Sequence, residues 1–294
     1  MIRLYERLSR HCPTVNQLNR VHIALENQLL PSGLHSLAQT TDSAPIWRDR
    51  WSVERQRWIA GLCQWSSCSG IAQPQTFRRC CRGRGIVLYA DDRIPVAEKR
   101  LLVCFTGVAR RLMIPMPVFL QHVDARSTDV LLLRYPKPDG YRNGMPGIAD
   151  SFSELFKVLP DFFPAGAYRQ RAALGVSGGG IPAVVLGVLA GFDAAMAFGI
   201  GHPDDERWRE VLESSAATTL NGLRSRHIGT RIVLVHGKDS EPDFGAATAW
   251  AASLPARIFS VGQSDAKVGH ACMHPFVTAG QLTAFLQREL WAQS

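Results

Sequence analysis

The sequence predicts an α/β protein with a mostly parallel central sheet flanked by helices, and three features lead there. From about residue 84 onward, short apolar runs of strand character alternate with stretches of helical periodicity. The run Arg100–Thr106 (R-L-L-V-C-F-T) is nearly continuously apolar, the pattern of a strand covered on both faces. Residues 1–83 show helical spacing and no comparable strands, which reads as a helical N-terminal extension packing on a core at 84–294.

In the extension, Val15 to Leu30 places Leu18, Val21, Ile23, Leu25 and Leu29-Leu30 at mostly helical spacing and stops at Pro31-Ser32-Gly33. Trp47, Trp51, Trp58 and Trp65 follow near two-turn intervals. They read as aromatics laid on the main domain, with a partner-binding surface as the alternative. Arg78, Arg79, Arg82 and Arg84, around Cys80-Cys81, read as a connecting segment. In the core the expected strands are Gly85–Tyr89, Arg100–Thr106, Val130–Arg134, Arg171–Val176, Ala194–Phe198, Ile232–His236 and Ile258–Val261. Helices are expected from Pro115/Pro117 to His122, after a Ser151/Glu154 capping box, at Ile181–Leu189, Asp205–Leu212 and Ala246–Ala252, and as one long helix at Met273–Leu290. The turn Pro136-Lys137-Pro138-Asp139-Gly140 follows the third strand, and residues 203–228 form a candidate lid.

The 294 residues, 46% hydrophobic and 20% charged, suit one large domain with an accessory segment. Lysine plus arginine exceed the acids, 33 to 25, giving a formal net charge of +8. The excess is spread along the chain as solvated surface, so no nucleic-acid partner is expected. Seven cysteines without regular spacing fit a reducing compartment. No apolar window approaches the ~18 residues that cross a bilayer, so a cytoplasmic protein without a membrane span is expected.

The chemistry is concentrated in Gly175-Val176-Ser177-Gly178-Gly179, between the strand ending at Val176 and an apolar helix. A serine projecting from so tight a turn needs small neighbours on both sides, and the helix that follows aims its amides at it. A dinucleotide loop would need glycine where Ser177 stands, and a P-loop would need Gly-Lys-Ser/Thr. Ser177 is therefore the candidate nucleophile.

Here the sequence resembles the α/β-hydrolase superfamily over roughly residues 85–290. The resemblance implies the α/β-hydrolase fold and a Ser-His-Asp triad in the chain order serine, acid, histidine. Ile232–Asp239 (I-V-L-V-H-G-K-D) is similar to the family's strand-His-Gly segment leading to the acid, but Ser240 holds the usual acid position. Asp239, one residue early, is the expected acid, and Asp243 the alternative; either could instead cap the helix that follows. In Val268–Pro275, the Gly269-His270 context makes His270 the expected base and His274 the alternative. A zinc site is not expected, because Ala271 stands where a zinc protease places its glutamate. The family's pattern places oxyanion-hole amides at Val108, in Phe105-Thr106-Gly107-Val108, and at Gly178.

Arg110 and Arg111 follow that loop, either as recognition of an anionic group on a small acyl substrate or as a solvated helix start. Tyr135–Gly147 and Pro203–Arg226 are candidate walls, while His202 and His236 read as structural, with a place bordering the pocket as the alternative. The implied activity is a serine hydrolase acting on a carboxylic ester or thioester through an acyl-enzyme, with no cofactor. The alternatives are an acyltransferase or tailoring enzyme with the same triad, and a non-catalytic binding module that retains the fold.

Overall fold

Apolar runs too short for helices become strands here, and the helices between them cover both faces of the sheet they build. A computed structural model describes residues 2–40, 50–68, 74–136, 139–163, 166–227, 229–263 and 266–291. Trp47, Lys137 and Pro138 lie outside the described residues. The extension contains α1 (Ile2–Ser9), α2 (Val15–Glu26), α3 (Pro31–Thr40) and α4 (Ser52–Cys68). There follow β1 (Arg78–Gly83), β2 (Ile86–Ala90), β3 (Arg100–Phe105), α5 (Met116–Gln121), β4 (Thr128–Leu133), α6 (Phe152–Val158) and β5 (Gln170–Val176). The chain continues through α7 (Gly180–Leu189), β6 (Ala194–Phe198), α8 (Glu206–Glu213), α9 (Leu220–Arg226), β7 (Arg231–Gly237) and α10 (Glu241–Ser253). It closes with β8 (Ala256–Val261), α11 (His274–Thr278) and α12 (Leu282–Leu286).

The strands form one eight-stranded sheet in the order β1-β2-β4-β3-β5-β6-β7-β8. β2 pairs antiparallel with both β1 and β4, and every pairing from β4 to β8 is parallel. Alternation along β3 divides the core in two. Leu102 and Cys104 join the apolar cluster on one face, with Val118, Phe285 and Leu290, whereas Leu101, Val103 and Phe105 join the other, with Phe152, Val184 and Trp250. Alanines pair across β5 and β6 (Ala172 with Ala194, Ala173 with Ala195), so α7 can lie directly on the sheet. A Cβ on Gly187 of α7 would come within 2.6 Å of the Ala195 Cβ, which measures the closeness of that approach.

Beyond an additional helix, α9, and an earlier start of α10, two elements depart from the sequence expectation in kind. The supposed connector at 78–83 is β1, an edge strand paired with β2, so the sheet begins inside the expected extension. Its residues are mostly exposed and arginine-rich, which suits an edge that must not recruit a second chain but removes the apolar signature of a strand. The expected single helix at Met273–Leu290 is broken: Gly280 adopts a left-handed φ of 66°, ending α11 and starting α12, which runs into a π-helical turn over Gln287–Trp291. Ser151 caps α6 by accepting from the Glu154 amide at 3.2 Å, while the Glu154 carboxylate accepts from the Asp150 amide at 2.7 Å.

The extension has a small core of its own, in which the His22 and Trp58 rings stack at 4.4 Å and Tyr5 stacks on both. Leu34 and Leu62 meanwhile enter the main cluster, and Trp58 and Trp65 pack against it.

A buried ion pair links β4 to the start of β3. Lys99 Nζ donates to Asp129 Oδ1 at 2.7 Å and to the Asp91 carbonyl at 2.8 Å, and Tyr168 donates to Asp129 Oδ2 at 3.0 Å. Removing one partner strands the other charge in the interior. Asp129→Ala should therefore lose about 3–5 kcal/mol of unfolding free energy in a urea titration. Tyr168→Phe, which removes one hydrogen bond, should lose only about 1 kcal/mol.

Candidate active site

β5 delivers the chain to Ser177 at the carboxyl edge of the sheet, where ligands of parallel α/β folds collect. Ser177 has φ 51°, a left-handed conformation that disfavours any residue with a Cβ. The glycines around it explain how the turn closes. A Cβ on Gly175 would collide with the Gly179 carbonyl, and one on Gly179 with the Phe105 carbonyl. A Cβ on Gly178 would sit 2.8 Å from Tyr135 Cε2, and one on Gly107 3.3 Å from the Ser177 Cβ. The turn is thus wedged between the ends of β3 and β5, and α7 starts three residues later with its amino end toward the serine.

Opposite lies a histidine–carboxylate pair. His270 Nδ1 stands 3.0 Å and 2.9 Å from the two Asp243 carboxylate oxygens. A carboxylate only accepts, so Nδ1 carries the proton and the neutral ring keeps Nε2 as its basic nitrogen. The hydrogen bond to Asp243 raises the His270 pKa above its ordinary value, burial opposes this, and the carboxylate charge adds to the rise. Asp243 is buried in the first turn of α10, where the helix dipole favours a negative charge. Ser177, Gly178, Val108, Asp243 and His270 line one cavity of about 240 Å³, together with Tyr135, Arg142, Gly199, Asp205, Arg207 and Trp208.

The structure does not bring Asp239 to His270. Asp239 Oδ2 accepts from the Val268 amide at 2.8 Å, and the Asp239 amide donates to the Val268 carbonyl at 3.0 Å, so this residue clamps the two loops together. The departure from the expected register has a local cause: α10 begins at Glu241, and its first turn carries Asp243 round to the histidine. His274 also points elsewhere. Its Nε2 donates to the Met113 carbonyl at 2.9 Å, its ring lies 4.7 Å from Trp65, and burial lowers its pKa. His236 is buried against Phe244 with Nδ1 at the carbonyl of the following Gly237, and His202 accepts from the Asp204 amide. Among the described residues, no three His, Cys, Asp or Glu side chains cluster as metal ligands.

The two arginines after the β3 loop separate. Arg111 pairs with Glu26 of α2 at 3.3 Å, on a carboxylate that also accepts from Trp58 Nε1 at 2.9 Å. Arg110 lines a second cavity and donates from Nε to the Tyr135 carbonyl at 3.2 Å. Tyr135, Arg142, Asp205, Arg207 and Trp208 had no individual sequence signal, although they fall within the two stretches singled out as walls.

The loop carrying Val108 is held by contacts from distant elements. Among the described residues, Arg110 (φ 61°), Met113 (φ 62°) and Ser177 are the non-glycine residues with positive φ. Asn27 Nδ2 donates to the Arg110 carbonyl at 3.0 Å, Glu26 holds Arg111, and His274 holds Met113. Glu26→Ala should therefore cost about 2 kcal/mol of stability, the value of a charged hydrogen bond, in chemical denaturation. Trypsin should also cut more readily at Arg110 and Arg111 in that variant than in the parent.

No protein-family model and no curated protein sequence matches the chain. Among solved structures it is similar to 2,6-dihydroxy-pseudo-oxynicotine hydrolase, at 15% identity and a TM-score of 0.50, over 98% of this chain and 85% of that one. It is also similar to Est1E from Butyrivibrio proteoclasticus, at 10% identity and a TM-score of 0.50, over 74% of this chain and 99% of that one. At such identities the likeness carries the fold. The first match extends over the N-terminal helices as well as the sheet.

Proposed function

We propose that this chain, which is built on the α/β-hydrolase fold, is a serine hydrolase that cleaves a carboxylic ester or thioester through an acyl-enzyme on Ser177. The observation that carries the reading is the shared cavity: a serine on a left-handed turn and a His270–Asp243 pair line the same space. A serine hydroxyl is a weak nucleophile near neutral pH, so it needs a base. In this reading His270 Nε2 takes the Ser177 proton as Oγ attacks the acyl carbon. Asp243 keeps the ring in the right tautomer and offsets its positive charge. The tetrahedral oxyanion is held by the backbone amides of Val108 and Gly178, each worth about 3 kcal/mol of barrier. The protonated ring then passes its proton to the leaving alcohol or thiol, and water repeats the sequence to release the acid.

A fluorophosphonate probe should label the wild-type protein, and Ser177→Ala should be unlabelled, with kcat/KM for p-nitrophenyl butyrate down at least about 10³-fold. Equal labelling of the two proteins would refute the assignment.

The pH profile separates the candidate acids. The base must be neutral, and contact with Asp243 raises the His270 pKa, so kcat/KM should climb with pH through a midpoint above 6.5. The attraction in the charged pair runs the other way: it stabilises the fold at low pH and is lost as pH rises through that midpoint. Asp243→Asn should move the midpoint down and lower the plateau by about 10⁴-fold. Asp239→Asn should leave the midpoint in place; a shift in this variant instead would return the acid's role to Asp239.

A further inference from the structure

Beside the Ser177 cavity lies a second of about 240 Å³, and Tyr135 lines both. Its wall is unusual in charge. Arg84, Arg110 and Arg134 all line it, together with Pro136 and Met145, and no acidic residue does. The arginines come from three places: Arg84 from the turn between β1 and β2, Arg110 from the loop carrying Val108, and Arg134 from the residue after β4.

Several arginines elsewhere have carboxylate partners. Arg93 pairs with Asp91, Arg111 with Glu26, Arg207 with Asp205, and Arg257 and Arg288 with Glu289. Even the Ser177 cavity is balanced, since Arg207 and Asp205 both line it. Among the described residues, Arg84, Arg110 and Arg134 form no ion pair, and Arg134 Nε is buried with no hydrogen-bond partner. Converging like charges repel, and a buried guanidinium N–H without an acceptor costs free energy. An anion bound among them would remove both penalties, and guanidinium groups match the planar oxygens of a carboxylate or the tetrahedral ones of a phosphate.

We propose that this cavity is the subsite for an anionic group, carboxylate or phosphate, on the substrate whose acyl carbon is attacked by Ser177. The proposal rests on the serine hydrolase reading. Tyr135 forms the partition the substrate passes, and Pro136 and Met145 supply apolar surface for the segment between the ester and its charged end. Arg110 joins the two sites covalently, standing two residues from Val108. Of Arg110 and Arg111, which the sequence offers either for anion recognition or as a solvated helix start, only Arg110 lines this cavity, because Glu26 holds Arg111.

The test compares two esters on the full chain: p-nitrophenyl butyrate, which is neutral, and the p-nitrophenyl monoester of glutaric acid, which ends in a carboxylate. Wild type should favour the charged ester at least tenfold in kcat/KM. In Arg84→Gln/Arg134→Gln that preference should fall at least tenfold, mainly through KM. Should the double variant fail to fold, Arg84→Gln alone, on an exposed turn, should reduce the preference severalfold. Inorganic phosphate and acetate, tested as inhibitors of the charged ester, distinguish the sources: tighter inhibition by phosphate assigns a phosphate-bearing substrate, and by acetate a carboxylate. Equal use of both esters, or a preference that survives the substitutions, overturns the subsite. Failure of the underlying reading looks different, as no fluorophosphonate labelling and no turnover of either ester.

Discussion

The structure turns on one backbone constraint, the left-handed conformation of Ser177. A residue with a Cβ takes that conformation only where its surroundings leave no alternative, at a cost of order 1–3 kcal/mol. Here β5 enters, α7 leaves, and the end of β3 presses from the side, so that a Cβ on Gly175 or Gly179 would overlap backbone atoms and one on Gly107 would be in tight contact. The all-apolar α7, lying on the small residues of β5 and β6, anchors the far side of the turn. The serine is exposed to its cavity because the chain around it cannot relax.

The second strained segment, from Gly107 to Met113, has no comparable glycine wedge. It carries positive φ at Arg110 and Met113 and is held by contacts from other elements. Asn27 and Glu26 reach it from α2, and His274 reaches it from α11. This gives the N-terminal helices a structural reason to exist in this chain. Their aromatic core stacks Tyr5, His22 and Trp58, and the Trp58 indole donates to the same Glu26 carboxylate that receives Arg111. Packing inside the extension is thereby connected, through one carboxylate, to the loop that borders the serine.

Charge is distributed unevenly over the two adjoining cavities. In the Ser177 cavity, Asp243 faces His270 and Asp205 faces Arg207, so the local field comes from ordered pairs. In its neighbour, three arginines converge without a counter-charge. The net charge of +8 was unremarkable while it could be read as scattered surface; its meaning changes where part of it is gathered in one hollow.

The sequence by itself determined the layered fold and the tight strand-to-helix turn that carries Ser177. Both rest on local physics: strand-length apolar runs alternating with helical periods dictate a covered parallel sheet, and glycines packed about Ser177 permit one kind of turn. It also singled out His270, in the loop after the last strand, which lines the same cavity as Ser177. What it left open was decided by side-chain direction and by contacts between distant elements. Asp239 and Asp243 are four residues apart, and only the start of α10 determines which carboxylate turns to the histidine and which one clamps Val268. Likewise Arg110 and Arg111 are neighbours in the chain, yet one is held by a helix 85 residues earlier while the other faces a cavity with Arg84 and Arg134. β1 escaped notice because an exposed edge strand needs no apolar pattern, and the break in the last helix because one glycine's φ is set by the packing on either side of it. Residue type and spacing record what the chain can form locally; which charged groups end up facing each other is a property of the assembled layers.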